Sequence, residues 1–317
     1  MLELYFCNVG DGDAILLREL SPGRPDYTVL IDTGRPFVEP QEGSFRKEAI
    51  YHLLARGVRR IDRLILTHPH IDHVGGTLRV LRHIPVERIT MLTVPPAGAA
   101  WLAPSRKSTH KRVNGFKHLM NITAEIADAA REKGIPVEEA KSGTEQLTER
   151  LAMTTYLPRK TVAAEQRAVC EHLFAGGKVK DEVVAMVSAD RNLASLMHRF
   201  DYAGRSILLT GDRYAEDWEH LEMPRCDVLK LPHHGDPKSV TEPLLQKLKP
   251  RIAVISTQSE PIRDKERPSE GTLRLLRKYA GSVYCTENRE MPSMAAATYN
   301  GICVTIGEDG SMDCRTE

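Results

Sequence analysis

The chain has 317 residues, 41% hydrophobic and 27% charged, a globular balance that excludes wholesale disorder and can bury a sizeable core. With 44 Lys and Arg against 43 Asp and Glu the formal net charge is +1, which excludes a globally basic nucleic-acid coat and leaves any affinity for polyanions to a local patch. No run approaches the ~20 apolar residues of a membrane-spanning helix. Met1 to Val9 lacks a basic leader and turns polar too early for a secretory signal. The cysteines, at 7, 170, 226, 285, 303 and 314, form no CxxC pair, which argues against a disulfide framework and a thiolate zinc site. The expectation is a reduced, cytoplasmic protein with no membrane segment.

Short apolar runs open the chain: Leu4, Phe6 and Ala14–Leu17 bracket the turn Asn8-Val9-Gly10-Asp11-Gly12-Asp13, and Tyr27–Ile31 runs into Asp32-Thr33-Gly34. Antiparallel strands joined by short turns fit this pattern. Arg46–Arg56 carries Ile50, Leu53 and Leu54 at helical spacing and closes at Gly57. Strands follow at Arg63–Thr67 and Ile89–Val94. Residues 101–118 carry five Lys or Arg and no acid, with Trp101 and Phe116 interleaved. Asn121 to Lys133 predicts an amphipathic helix ended by Gly134 and Pro136, and 160–175 predicts another. Strand signals resume at Ser195–Phe200, Ser206–Thr210, Val228–Leu231, Ile252–Ser256 and Ile302–Ile306, with helices over Thr241–Leu248 and Thr272–Tyr279. Length alone suggests two domains at ~150 residues each, but nothing resembles a linker. The expectation is one domain over 1–317, of two sheets packed face to face with helices outside, elaborated at about 97–118 and 159–190.

The strongest chemical signal is Thr67-His68-Pro69-His70-Ile71-Asp72-His73-Val74-Gly75-Gly76, three His and one Asp in six residues after a buried strand. In extended chain His68 and His70 project to one side, and Pro69 holds His68 extended. A turn then aims Asp72 and His73 at a second point nearby, while Gly75-Gly76 lets other backbone pass close. Neutral imidazoles and carboxylates suit Zn²⁺ and tolerate Mn²⁺ or Fe²⁺. A histidine-rich solvated loop is the bland alternative, and four potential ligands at a strand end weigh against it. Two further strand ends offer ligands. Thr210-Gly211-Asp212 presents a carboxylate placed to bridge two metals, and Pro232-His233-His234-Gly235 presents two adjacent His. Alone, Asp212 reads as an Asx turn or helix cap and the His pair as an exposed loop.

These motifs together, with Val9-Gly10-Asp11-Gly12-Asp13-Ala14 and Leu30-Ile31-Asp32-Thr33-Gly34 ahead of them, resemble the metallo-β-lactamase fold superfamily. Within it they resemble the hydrolase domain at the C-terminus of the competence DNA-uptake channel (ComEC-like), from about Leu2 to about Val283. The resemblance implies an αββα sandwich of the α/β (α+β) class with the metal site at one edge. It implies two divalent metal ions, with His68 and His70 on one, Asp72 and His73 on the other, and Asp212 bridging. His233 or His234 completes the second site, and the other contacts substrate or protonates the leaving group. Asp32 resembles the family's buried aspartate that braces the ligand loop, and Asp13 is placed at the rim. The family's usual third histidine for the first ion falls near Asn192, and His198 reads as a packed or surface histidine. Arg267-Pro268 stands where the subfamily reads His-Pro, and an arginine there can clamp a phosphate or simply be solvated.

The activity this implies is hydrolysis of a phosphodiester by metal-bound hydroxide, with Asp72 orienting the nucleophile and His233 or His234 protonating the departing oxygen. Nucleic acid is the expected substrate, reached through the basic 101–118 segment, and without membrane segments the chain reads as a hydrolase and not a transporter. β-Lactamase activity is not implied by a fold name. Two alternatives share the motifs: a hydrolase of small esters, lactones or thioesters, and a metal-binding partner protein whose catalysis has decayed.

Overall fold

Alternate residues of the opening strand face two different cores, and that division sets the layering. In the computed structural model, which describes residues 1–104, 111–188, 191–260 and 267–317, Leu2, Leu4 and Phe6 point between two sheets while Tyr5 and Cys7 face a helical layer. The strands of the first half are β1 (Leu2–Cys7), β2 (Ile15–Glu19), β3 (Tyr27–Ile31), β4 (Arg63–Leu66), β5 (Ile89–Met91) and β6 (Val137–Glu139). Those of the second are β7 (Gly143–Gln146), β8 (Leu151–Tyr156), β9 (Met197–Tyr202), β10 (Arg205–Leu209), β11 (Val228–Lys230), β12 (Ile252–Ile255) and β13 (Ser282–Cys285). A small ribbon, β14 (Glu287–Asn288) with β15 (Ala297–Thr298), precedes β16 (Gly301–Ile306) and β17 (Met312–Thr316).

The first sheet runs β17-β16-β1-β2-β3-β4-β5-β6 and the second β13-β12-β11-β10-β9-β8-β7. Each is antiparallel in one half and parallel in the other; the change comes at β3–β4 in the first and at β10–β11 in the second. Phe6, Ile15, Val29 and Ile65 meet Phe200, Ile207, Val228 and Val254 between the sheets. These strands are buried on both faces, which is why they read as continuous apolar runs.

Helices α1 (Ala49–Ala55), α2 (Ile71–Val74), α3 (Thr77–His83), α4 (Lys111–Glu132), α5 (Lys160–Phe174), α6 (Asp181–Val187), α7 (Glu242–Leu248) and α8 (Glu270–Tyr279) complete the order. Ile50, Leu53, Val80 and Ile126 cover the outer face of the first sheet, and Leu244, Leu245, Leu273 and Leu276 that of the second. This is the expected αββα sandwich. Thr241 and Ser269 cap α7 and α8, accepting hydrogen bonds from Leu244 N at 3.3 Å and Thr272 N at 3.1 Å, each worth about 1 kcal/mol.

Two expectations about the middle of the chain are corrected. The helix expected from Asn121 begins at Lys111, because Val113, Phe116 and Met120 continue the apolar stripe and pack against Cys170, Phe174, Val184 and Val187 of α5 and α6. Phe116 is therefore 1% exposed and no stacking platform, whereas Trp101 is 72% exposed. Arg106 and Lys107 of the basic segment lie outside the described residues. All six cysteines are free thiols, five of them buried. Among the described residues no helix is long and apolar enough to cross a membrane.

Candidate metal centre

Parallel strands deliver the residues that follow them to one edge of a sheet, and here both sheets do so at the same place. The loop after β4 carries His68, His70, Asp72 and His73; the turn after β10 carries Asp212; the turn after β11 carries the histidine pair. They converge into two cradles that share Asp212. One comprises His68, His70 and Asp212, the other Asp72, His73, Asp212 and His234, with ligand atoms in each within 4.8 Å of one another. Asp212 Oδ2 lies 3.7 Å from His68 Nε2 and 3.4 Å from His73 Nε2. His234 Nε2 is 3.5 Å from Asp72 Oδ2.

The hydrogen bonds behind the cradles aim the lone pairs inward. Asp32 Oδ2 accepts from His73 Nδ1 at 2.7 Å and from Thr67 Oγ1 at 2.7 Å, and Thr67 Oγ1 in turn lies 3.1 Å from His68 Nδ1. Ser256 O accepts from His234 Nδ1 at 2.8 Å. With each Nδ1 proton engaged, Nε2 is the free acceptor. His73 Nε2, His234 Nε2 and Asp212 Oδ2 are buried and make no hydrogen bond, which a cation in the cradle would remedy. His68 Nε2 and His70 Nδ1 face each other at 2.9 Å, a separation that one proton or one cation satisfies.

Charge tells the same story. Burial resists a charge on His73, yet Asp212 and Asp32 outweigh it and hold its pKa well above the ordinary value. Burial, with His73 and His70 nearby, pushes His68 well below, leaving it neutral. Burial raises Asp72, but His234, 3.5 Å away, and the charges of His73 and His70 carry it below the carboxylate range. The pocket demands positive charge at its centre.

The turn Pro232-His233-His234-Gly235 explains how adjacent histidines part. His233 (φ 49°), His234 (φ 56°) and Gly235 (φ 76°) are all left-handed, a conformation costing a non-glycine residue roughly 1–2 kcal/mol. His233 N donates to Asp212 Oδ1 at 3.1 Å and Ser269 N to Gly235 O at 2.9 Å, holding the turn from both sides. A Cβ on Gly235 would meet Pro268 Cβ at 2.7 Å. The turn sends His234 into the second cradle and His233 to its outer side. There His233 Nε2 lies 4.0 Å from Asp212 Oδ2, and its Nδ1 is 3.2 Å from Asn192 Nδ2. Burial lowers the pKa of His233 to about 4. Gly76, as expected, admits a close backbone, since a Cβ there would meet Thr33 O at 2.3 Å.

Other expected residues find distinct places. Asp32 is fully buried behind the ligand loop. Asp13 is not at the rim: it is 1% exposed because Lys230, itself 0% exposed, reaches it from the other sheet, while Asp13 N donates to Asp72 O at 3.1 Å. Nothing in the Leu229-Lys230-Leu231 run before the histidine pair signals in sequence that this lysine is buried against a carboxylate. Asn192 abuts His233 with a buried Oδ1 that makes no hydrogen bond, and belongs to neither cradle. Arg267 is committed to Asp236 Oδ2, at 3.2 Å from Nε and 2.9 Å from a terminal nitrogen. His198 is packed, 1% exposed, with burial lowering its pKa to about 3.

A family description for the metallo-beta-lactamase superfamily matches residues 7–259. The chain belongs to the metallo-β-lactamase superfamily. Among curated relatives it is similar to ComE operon protein 3 of Bacillus subtilis, 27% identical over 300 residues that cover 90% of this chain and 32% of that protein. It is also similar to Recombination protein 2 of Haemophilus influenzae, 25% identical over 254 residues, 79% of this chain and 23% of that one. The chain thus spans a third or less of the length of these relatives. Among solved structures, the metallo-beta-lactamase fold protein YhfI from Bacillus subtilis aligns over 90% of this chain and 95% of its own, at 10% identity and a TM-score of 0.47. Metallo-β-lactamase superfamily proteins are mostly hydrolases that bind divalent metals, and the two cradles are where this chain could hold them.

Proposed function

We propose that this hydrolase is a phosphodiesterase acting on nucleic acid, with His68, His70 and Asp212 holding one divalent cation and Asp72, His73, Asp212 and His234 the other. The observation that carries the reading is the position of Asp212 Oδ2, buried without a hydrogen bond between His68 and His73. A carboxylate shared in this way could serve both cations, and a two-metal site suits in-line displacement at phosphorus. The nitrogen-rich donor set favours zinc, with Mn²⁺ or Fe²⁺ as alternatives. Bound there, such cations supply Lewis acidity and lower the pKa of a coordinated water from 15.7 towards ~7.

The protein's own residues supply orientation. Asp72, half-buried and ionised, would orient the attacking water, which gives one proton to solvent; a bond forms from its oxygen to phosphorus as the bond to the departing oxygen breaks, and that oxygen takes up a proton from solvent. His233, neutral at physiological pH because burial lowers its pKa to about 4, donates a hydrogen bond to that oxygen. Trp101 and Arg112, both exposed, offer stacking and charge to a nucleic acid. A relative named for recombination agrees with a nucleic-acid substrate, and six free thiols suit the reducing cytoplasm.

The test compares bis(p-nitrophenyl) phosphate with a chromogenic lactone and a chromogenic thioester, using protein loaded with Zn²⁺ or Mn²⁺. Single- and double-stranded oligonucleotides follow. Turnover of the phosphate diester and cleavage of an oligonucleotide are expected; turnover confined to the carbonyl substrates would overturn the assignment.

A further inference from the structure

Helix α5 separates two spaces. Gln166, Cys170 and Phe174 face an apolar cavity of about 50 Å³ beside His68 and Pro69, too small for more than a water or two. The opposite face, Ala163, Ala164, Arg167, Ala168 and Glu171, lines a groove of about 580 Å³ closed on its other side by Arg213, Asp217 and His220. That volume falls among those of small-ligand sites.

The groove lies on the edge of the sandwich that carries the cradles. Its floor includes Tyr156, which pairs with Met197, and Met197 adjoins His198, which pairs with Leu209 just ahead of Asp212. Its wall residue Arg213 follows Asp212 directly. Asp212 N donates to Ser195 Oγ at 3.1 Å, and the Arg213 guanidinium donates to Ser195 O at 2.6 Å, so groove and cradle share one wall.

The lining is amphiphilic. Tyr156, Leu157, Pro158 and the alanines of α5 form an apolar floor, edged by Arg159, Lys160 and Arg213. Arg159 has Asp217 at 3.7 Å, Arg167 has Glu139 at 2.8 Å and the buried Arg213 is held by Ser195 O and Tyr156 O, whereas among the described residues Lys160 forms no ion pair with a carboxylate. Cations therefore outnumber acids around a surface suited to a flat aromatic group. A lone phosphate would leave the floor uncovered; an apolar ligand would leave Lys160 unmatched.

We propose that this groove binds a nucleotide unit of a single-stranded nucleic acid, phosphate against Lys160 and Arg159 and base against the Tyr156 and alanine floor, beside the scissile bond. The inference rests on the phosphodiesterase reading, but its test reads binding and not turnover. Fluorescence anisotropy of a fluorescein-labelled dT oligonucleotide, and of its rU counterpart, gives Kd for the metal-loaded full chain over a salt series. Removing one phosphate contact from a single strand lowers the slope of log K against log salt by about 0.7, or roughly fivefold in Kd at 0.1 M salt. K160E is expected to show at least that loss, R159E/K160E more, and Ala164→Trp, which fills the groove without changing charge, a comparable one. K178E makes the same charge change four residues beyond the end of α5 and should leave Kd within twofold. Unaltered melting temperatures confirm folding. Wild-type protein that binds neither oligonucleotide overturns the groove. So does equal weakening by K160E and K178E, or an A164W Kd equal to wild type. Binding lost as expected without any oligonucleotide cleavage would instead leave the groove standing and remove the nuclease reading.

Discussion

Asp32 Oδ2 accepts a 2.7 Å hydrogen bond from His73 Nδ1 at a depth where both side chains are shut off from solvent. The same oxygen accepts from Thr67 Oγ1, and Asp32 Oδ1 accepts from Thr67 N at 2.8 Å. One carboxylate thus orients His73 directly and His68 through Thr67, from a left-handed backbone at φ 57°. Asp32→Asn, which tolerates that conformation, should fold yet bind cations about 10–100-fold more weakly, as removal of such an outer partner does. Chelator competition measures it. Asp32→Ala should lose further stability, since alanine is strained there.

The Asp13–Lys230 ion pair joins the two sheets beside the cradles. Breaking a buried pair from one side leaves an uncompensated charge and costs roughly 3–5 kcal/mol, whereas replacing both partners with uncharged residues recovers much of that. Lys230→Met and Asp13→Asn should therefore each lower the denaturant midpoint more than the double variant does. A double-mutant cycle in urea gives the coupling. Additive losses would mean that the two side chains do not interact.

Metal content sorts the site. His70→Ala should reduce the bound cations by the one in the first cradle, His234→Asn by the one in the second, and Asp212→Ala should weaken both. His233→Asn, keeping a residue that accepts left-handed backbone, should retain both cations while turnover falls about a hundredfold, the loss typical of one hydrogen-bond donor to a reacting oxygen. Elemental analysis per chain, paired with turnover, separates the two histidines.

Acid should destabilise the protein through histidines buried without charge. Burial, only partly offset by a hydrogen bond to Asn8 O, lowers the pKa of His52 from 6.5 to about 4. Below pH 6.5 the unfolded chain takes up a proton that the folded chain refuses until about pH 4. Stability from this group is therefore complete above pH 6.5, declines between 6.5 and 4, and falls no further below. The full loss is about 3 kcal/mol. Urea titrations across that range should show a flatter decline for His52→Gln, which keeps a donor for Asn8 O.

The ligand loop, Asp212 and the histidine pair were legible in sequence because each closes an apolar strand, and polar side chains clustered there have no packing purpose. Other features depend on contacts that sequence does not display. Lys230 sits in a Leu-Lys-Leu run, and only the arrival of Asp13 from the other sheet shows why an ammonium is buried there. The same contact moves Asp13 from rim to interior. His233 and His234 look equivalent until the left-handed turn parts them. The start of α4 was hidden by Gly115 and surrounding charges, which mask the spacing of Val113, Phe116 and Met120. β17, half-exposed at the sheet edge, carries too few apolar residues to announce itself.

The shared position of Asp212 has a temporal consequence during synthesis. His68 to His73 leave the ribosome first, and for a long stretch of translation they have neither the shared Asp212 nor His234 beside them. A nascent or truncated chain thus holds most of the imidazoles but neither complete cradle, and both are complete only when the second sheet docks.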